Sequence, residues 1–153
     1  AALHEAGCQI HSTGDAVRLR SSGELHAIRP VRTAPYPGFP TDAQAVLMAA
    51  LLKSRGASVF VENIFENRYR HVDELNRMGA DIRVEGRVAV VCGVDRLQGA
   101  QVQATDLRGG AALVVAALGA QGESRVGSIQ HIQRGYEDIA RDLRALGGEI
   151  REV

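Results

Sequence analysis

The densest group of chemically useful residues is Arg32-Thr-Ala-Pro-Tyr-Pro-Gly-Phe-Pro-Thr-Asp42, where three of the chain's four prolines stand directly before an acid that opens an apolar run. Prolines at 35, 37 and 40 stiffen the loop and remove amide donors, and Pro-Gly-Phe-Pro permits an abrupt turn, so Asp42 is expected in a defined place. That acid either only supports the helix end, as capping Asp residues commonly do, or presents a fixed carboxylate to a ligand. A second loop, Asn63-Ile-Phe-Glu-Asn-Arg-Tyr69, carries Ile64 and Phe65 as apolar groups exposed unless something covers them, and Arg68, whose fork suits carboxylate or phosphate. A third, Ser128-Ile-Gln-His-Ile-Gln-Arg134-Gly-Tyr, again puts an Arg shortly before a helix. Between them, Thr105-Asp106 reads as a helix start, and Arg108 falls in the first turn, where a cation opposes the dipole; the placement hints at a ligand or an ion pair. His71 and His131 flank these loops and read as structural, and Gly109-Gly110 lacks the GxxxxGK[ST] pattern of a phosphate loop.

These residues have to be positioned by the elements around them, and the sequence repeats its elements. Leu3-His-Glu-Ala-Gly-Cys-Gln-Ile10, Leu75-Asn-Arg-Met-Gly-Ala-Asp-Ile82 and Leu143-Arg-Ala-Leu-Gly-Gly-Glu-Ile150 each end a helical stretch at Gly and continue as an alternating strand. Thr41-Asp and Thr105-Asp each open an apolar run with a helix-start signature. The pattern predicts a helix from Asp42 to Arg55, a strand from Ala57 to Glu62, a helix from Arg70 to Met78, and strands at Asp81–Glu85, Val88–Cys92 and Gln101–Ala104. It then begins again with a helix Leu107–Leu118, a strand Ser124–Ser128, a helix Tyr136–Leu146 and a strand Glu149–Val153. Before Thr41 there is only a helix end, a strand to about Ile10, a turn at Ser12–Asp15, a strand Ala16–Arg20 and another around Leu25–Thr33. The expected fold class is α+β, one domain over 1–153 built of β-α-β-α-β-β units: a partial unit at 1–40, a complete one at 41–104 and a last one at 105–153. A unit that starts in its middle predicts a truncated chain. Equivalent loops of repeated units open on one face, so Arg68, Asp106, Arg108 and Arg134 are expected to converge with Asp42 on one anion-receptive surface.

Composition narrows the function classes. Lys plus Arg and Asp plus Glu each number 18, which leaves no global field to draw the chain onto nucleic acid or an anionic membrane. Apolar residues are 45% of the total, without a run long enough for a membrane helix, and the first residues do not read as a signal peptide; a cytoplasmic protein is expected. Cys8 and Cys92 lack CxxC spacing and a nearby His, and read as small buried hydrophobes rather than as a disulfide. The five histidines are scattered without a ligand pattern, so no metal and no cofactor is expected.

Taken together, Arg32-Thr-Ala-Pro-Tyr-Pro-Gly-Phe-Pro-Thr-Asp-Ala-Gln, Phe65-Glu-Asn-Arg-Tyr-Arg-His-Val-Asp-Glu-Leu, Met78-Gly-Ala, Ala104-Thr-Asp-Leu-Arg and His131-Ile-Gln-Arg-Gly-Tyr-Glu closely resemble the enolpyruvyl transferases that act on UDP-N-acetylglucosamine. The resemblance covers essentially the whole chain in order. It implies an inside-out, barrel-like α/β domain of three such units, one of two domains with the active site in the cleft between them, and this chain as most of the carboxyl-terminal one. It implies substrates, phosphoenolpyruvate and UDP-N-acetylglucosamine, in the first committed step of peptidoglycan synthesis, and hence roles in cell shape and division. It also implies roles: Asp42 contacts the sugar hydroxyl and is a candidate for proton transfer, Ile64 contacts the nucleotide sugar through its backbone with Phe65 beside it, and Arg134 binds the phosphate of phosphoenolpyruvate. Arg68, Asp106 and Arg108 line the cleft or take part in its closure. The mobile-loop Cys or Asp and the further Lys and Arg that the family carries on the other domain match nothing here, so this chain alone is expected to be inactive and to self-associate through its uncovered interdomain face. The competing expectations are the shikimate-pathway relative and a non-catalytic repeat-fold binding module.

Overall fold

A short helix α1 (Ala2–Glu5) leads into a hairpin of β1 (Gln9–Thr13) and β2 (Ala16–Arg20), closed in register by Thr13 opposite Ala16. The computed structural model describes residues 1–153. A four-stranded sheet follows in the order β3-β4-β6-β5, from β3 (Val31–Arg32), β4 (Ala57–Val61), β5 (Asp81–Glu85) and β6 (Val88–Cys92). Helix α2 (Thr41–Ala50) makes the crossover between the parallel strands β3 and β4, and α3 (Val72–Arg77) precedes the antiparallel β5–β6 hairpin. The last part repeats a parallel crossover, β7 (Gln101–Gln103), α4 (Leu107–Leu118) and β8 (Arg125–Gly127), and ends in α5 (Gln130–Gln133) and α6 (Ile139–Ala145). No helix is long and apolar enough to cross a membrane.

Alternation decides which way the sheet faces. Ser58 and Phe60 of β4 are fully buried and lie opposite Val91 and Ala89 of β6, so the largest side chain of the pair of strands meets the smallest. Against that face lie α2 and α4, packed on one another through Ala45, Met48, Ala49, Ala112, Leu113 and Ala116 of the main core. Burying a side chain such as Leu113 stabilises the fold by about 1.5–3 kcal/mol.

The two crossovers are tied in the same manner. The Ala27 amide donates to the Arg55 carbonyl (2.8 Å), the Arg55 amide to the Leu25 carbonyl (2.8 Å) and the Ile28 amide to the Ser58 hydroxyl (3.1 Å). In the last part the Gly99 amide donates to the Gln121 carbonyl (2.7 Å), the Gln121 amide to the Leu97 carbonyl (2.9 Å) and the Ala100 amide to the Ser124 hydroxyl (3.4 Å).

Several boundaries differ from the sequence expectation, each for a tertiary reason. Helix α2 stops at Ala50 rather than Arg55, because Leu51 and Leu52 turn into the core and Gly93 lies so close to the Ser54 carbonyl that a Cβ there would come within 1.5 Å of it. The strand expected around Leu25–Thr33 is confined to Val31–Arg32, with isolated bridges at His26 and Thr33; Pro30 has no amide to donate to a ladder. Helix α6 begins only at Ile139, where Asp138 accepts from the Arg141 amide at 2.8 Å. The strand expected at Glu149–Val153 does not form; Ile150 packs against the small cluster of Ala104, Val114 and Ile132 instead. Cys8 is buried, Cys92 is partly buried on β6, and both are free.

Candidate functional site

The loops that follow β3 and β4 and the start of α4 meet at one edge of the fold, and Asp42 is where they are joined. Its Oδ1 accepts from an Arg68 guanidinium nitrogen at 3.0 Å and its Oδ2 from an Arg108 guanidinium nitrogen at 3.2 Å. Asp42 makes no capping bond: Pro40 is the residue before the first turn of α2, so Asp42 is already the second helical residue and its carboxylate points outward to the two arginines. Its side chain is 60% exposed, which leaves it open to a ligand. The Arg68 guanidinium also lies over the Phe65 ring, 5.1 Å from its centroid, and Ile64 and Phe65 are exposed, as expected for groups that something must cover.

Asp106 behaves differently from Asp42 despite the shared Thr-Asp pair. Its Oδ1 accepts from the Gly109 amide at 2.8 Å, and the Thr105 hydroxyl donates to its Oδ2 at 3.1 Å. Here the acid is the N-cap of a twelve-residue helix. Asp106→Ala is therefore expected to lower unfolding stability by about 1 kcal/mol, measured by urea denaturation, through loss of the cap.

Arg108 is fixed from two sides. Burial opposes its charge, but the Tyr136 hydroxyl and the Asp42 carboxylate outweigh that and hold its pKa above the ordinary arginine value. Tyr136 comes from the segment after α5, and the same segment is pinned to α4 by close packing: a Cβ on Gly135 would meet the Leu107 side chain at 2.7 Å and one on Gly110 would meet Ile132 at 2.6 Å. Arg134, the C-cap of α5, is consequently carried on a loop locked to the first turns of α4; it is exposed and forms no ion pair. Asp42, Arg68 and Arg108 are thus brought into direct contact. Asp106 and Arg134 are held beside them without touching Asp42.

Sequence reasoning missed the residue beneath this surface. Glu62 is only 1% exposed, and its carboxylate accepts from the Thr33 hydroxyl (2.8 Å), the Thr41 hydroxyl (2.9 Å) and the amides of Ile64 (2.8 Å) and Phe65 (3.1 Å). Burial pushes its pKa up, the four donors push it down, and the donors win, so the carboxyl sits below its usual range. Nearby, burial and the Glu62 charge drive the Tyr69 phenol up to about 12. A signal for Glu62 was present: positions 58, 60 and 62 share the inward face of a strand, and a charge on that face calls for dedicated partners. His71 and Gln44 are also fully enclosed here, and neither side chain's polar atoms find a hydrogen-bond partner.

Residues 1–143 match the family model described as EPSP synthase (3-phosphoshikimate 1-carboxyvinyltransferase). Among curated proteins, the chain is 58% identical over 150 residues to UDP-N-acetylglucosamine 1-carboxyvinyltransferase of Desulfofundulus thermocisternus, covering 98% of this chain and 61% of that protein. It is 52% identical over 151 residues to UDP-N-acetylglucosamine 1-carboxyvinyltransferase 3 of Symbiobacterium thermophilum, covering 99% of this chain and 35% of that protein. Among solved structures, the enolpyruvyl transferase NikO from Streptomyces tendae superposes with a TM-score of 0.87 at 28% identity, over 97% of this chain and 34% of that one. The EPSP synthase from Acinetobacter baumannii, at 19% identity and a TM-score of 0.67, shares the fold. The chain spans 61% of the first of these curated relatives and 35% of the second.

Proposed function

This chain belongs to the EPSP synthase family of carboxyvinyltransferases, and from that premise we propose that it forms one wall of a cleft in which the enolpyruvyl group of phosphoenolpyruvate passes to the 3-hydroxyl of UDP-N-acetylglucosamine. The observation that carries the reading is the carboxylate of Asp42 in the first turn of α2, exposed and held between Arg68 of the loop after β4 and Arg108 in the first turn of α4. Enolpyruvyl transfer adds an alcohol across the enol double bond, so the hydroxyl loses a proton and the methylene carbon gains one; the resulting methyl group then gives up a proton as the C–O bond to phosphate breaks, which restores the double bond. Asp42 is the group placed to take the hydroxyl proton. Arg134, unpaired and exposed on its locked loop, is a cation available to the phosphate, while Arg68 and Arg108 orient Asp42 and add positive potential at the rim. The matching backbone ties of the two crossovers support a repeated β-α-β-α-β-β unit, in which corresponding loops present these groups on one face. The reaction implies a place in cell-wall precursor synthesis and, with it, a cytoplasmic protein.

The shared names of curated relatives at 58% and 52% identity favour a nucleotide sugar as acceptor over shikimate 3-phosphate, the substrate in the description of the matching family model, whose solved EPSP synthase is 19% identical. Calorimetric titration with each acceptor separates the two, the heat of UDP-N-acetylglucosamine binding being the expected result. The groups proposed for this chain are the base for the acceptor hydroxyl and a cation for the phosphate, and the proton for the methylene carbon is assigned to the rest of the cleft. The 153-residue chain is accordingly expected to show negligible phosphate release with both substrates present; turnover near that of the longer Symbiobacterium thermophilum relative refutes the division of labour.

A further inference from the structure

The Glu62 carboxylate has no cation beside it, yet it is buried with its four partners drawn from three places on the site's framework: Thr33 at the end of β3, Thr41 in the first turn of α2, and the adjacent amides of Ile64 and Phe65. Thr33 is itself locked further, its hydroxyl accepting from the Asn63 amide at 2.8 Å. Oε1 gathers the 64–65 loop and β3, while Oε2 reaches the residue directly before Asp42. Both amides of the Ile64–Phe65 pair are consumed inward, so the backbone group that Ile64 offers outward is its carbonyl, which accepts no bond within the chain.

We propose that Glu62 is a positioning residue that sets the distance between the Ile64 carbonyl and the Asp42 carboxylate, the two groups a nucleotide sugar must span. This rests on the acceptor reading above, in which Asp42 faces the sugar hydroxyl. Folding alone calls for an apolar residue at the inward position after Phe60, as at Ser58 and Phe60 it calls for small and large fillers. A carboxylate there costs desolvation that its four donors must offset, and what it returns is a rigid clasp between the two loops that would touch the sugar. Thr41 extends that clasp to the helix turn carrying Asp42, so the loop and the acid move as one body.

The test uses the 153-residue chain labelled with 15N, as wild type, Glu62→Gln and Thr41→Val. Gln keeps one carboxyl oxygen facing the loop and turns an amide toward Thr41, whose hydroxyl can accept, so the fold is retained while the charge-assisted bonds weaken. Glu62→Gln is expected to cut amide-exchange protection at Ile64 and Phe65 by at least about tenfold with the Phe60 and Leu113 amides unaffected. Thr41→Val is expected to leave that protection in place. Both variants are expected to raise the Kd for UDP-N-acetylglucosamine, followed by amide shifts, by about tenfold. Unchanged protection at 64 and 65, an equal loss at Phe60 and Leu113, or an unchanged Kd in both variants overturns the proposal. A wild-type chain whose amides do not respond to the nucleotide sugar overturns the acceptor reading instead, and the exchange data then decide the clasp alone.

Discussion

Asp42→Asn, made in a chimera in which this chain replaces the corresponding region of the Symbiobacterium thermophilum relative, is expected to lower kcat for phosphate release by about a hundred- to ten-thousand-fold. Asn matches the shape of Asp and keeps one oxygen for Arg68 or Arg108, so the loops stay in place, but it has neither the charge nor the basicity to take a proton from a sugar hydroxyl. The effect belongs in kcat, because the proton is moved only as the new bond forms. Stability is expected to change little: the carboxylate is 60% exposed, and ion pairs of that kind contribute about 0–1 kcal/mol. An unaltered Tm with lost turnover identifies a chemical role. Activity within a few-fold of the parent would leave Asp42 as an anchor for the two arginines and nothing more.

The same acid illustrates how far the sequence could be read. Thr41-Asp42 and Thr105-Asp106 are identical in letters and differ by two residues of helical register: Asp106 stands before the first turn of α4 and caps it, whereas Asp42 is the second residue of α2 and faces out. Pro40 and Glu62 make the difference, the first occupying the capping position and the second engaging the Thr41 hydroxyl. Helix α4 was legible to the residue, since its cap, its apolar run and the Gly119 stop are all local. The loop cluster was legible as a group of cations near an acid. Its wiring was not, because Arg68 and Arg108 reach Asp42 from 26 and 66 residues away, and no local pattern encodes such a pair. The C-terminal strand failed for the complementary reason: alternation at Glu149–Val153 supplies a face, but a strand also needs a partner edge, and β8 pairs only with β7.

Acid is expected to destabilise the fold through His71, well before the carboxylates contribute. Burial, assisted by the Arg68 cation and opposed by Asp106, pushes this imidazole from 6.5 down to about 4. The sign follows from proton binding: above the unfolded value both states are neutral and stability is complete, between the two values only the unfolded chain takes up the proton, and below the folded value both carry it. Unfolding free energy is therefore expected to fall by on the order of 3 kcal/mol as pH drops from 6.5 to about 4, at about 1.4 kcal/mol per pH unit. Glu62, held below the usual carboxylate range, keeps its contribution through the upper part of that window and does not mask the slope. Urea midpoints at about pH 7 and about pH 5 measure it, and His71→Leu is the control. Because neither ring nitrogen has a partner, Leu removes an unsatisfied buried donor along with the titration, so the variant is expected to be nearly as stable at neutral pH and flat toward acid. A slope that survives in His71→Leu would move the acid sensitivity to another group.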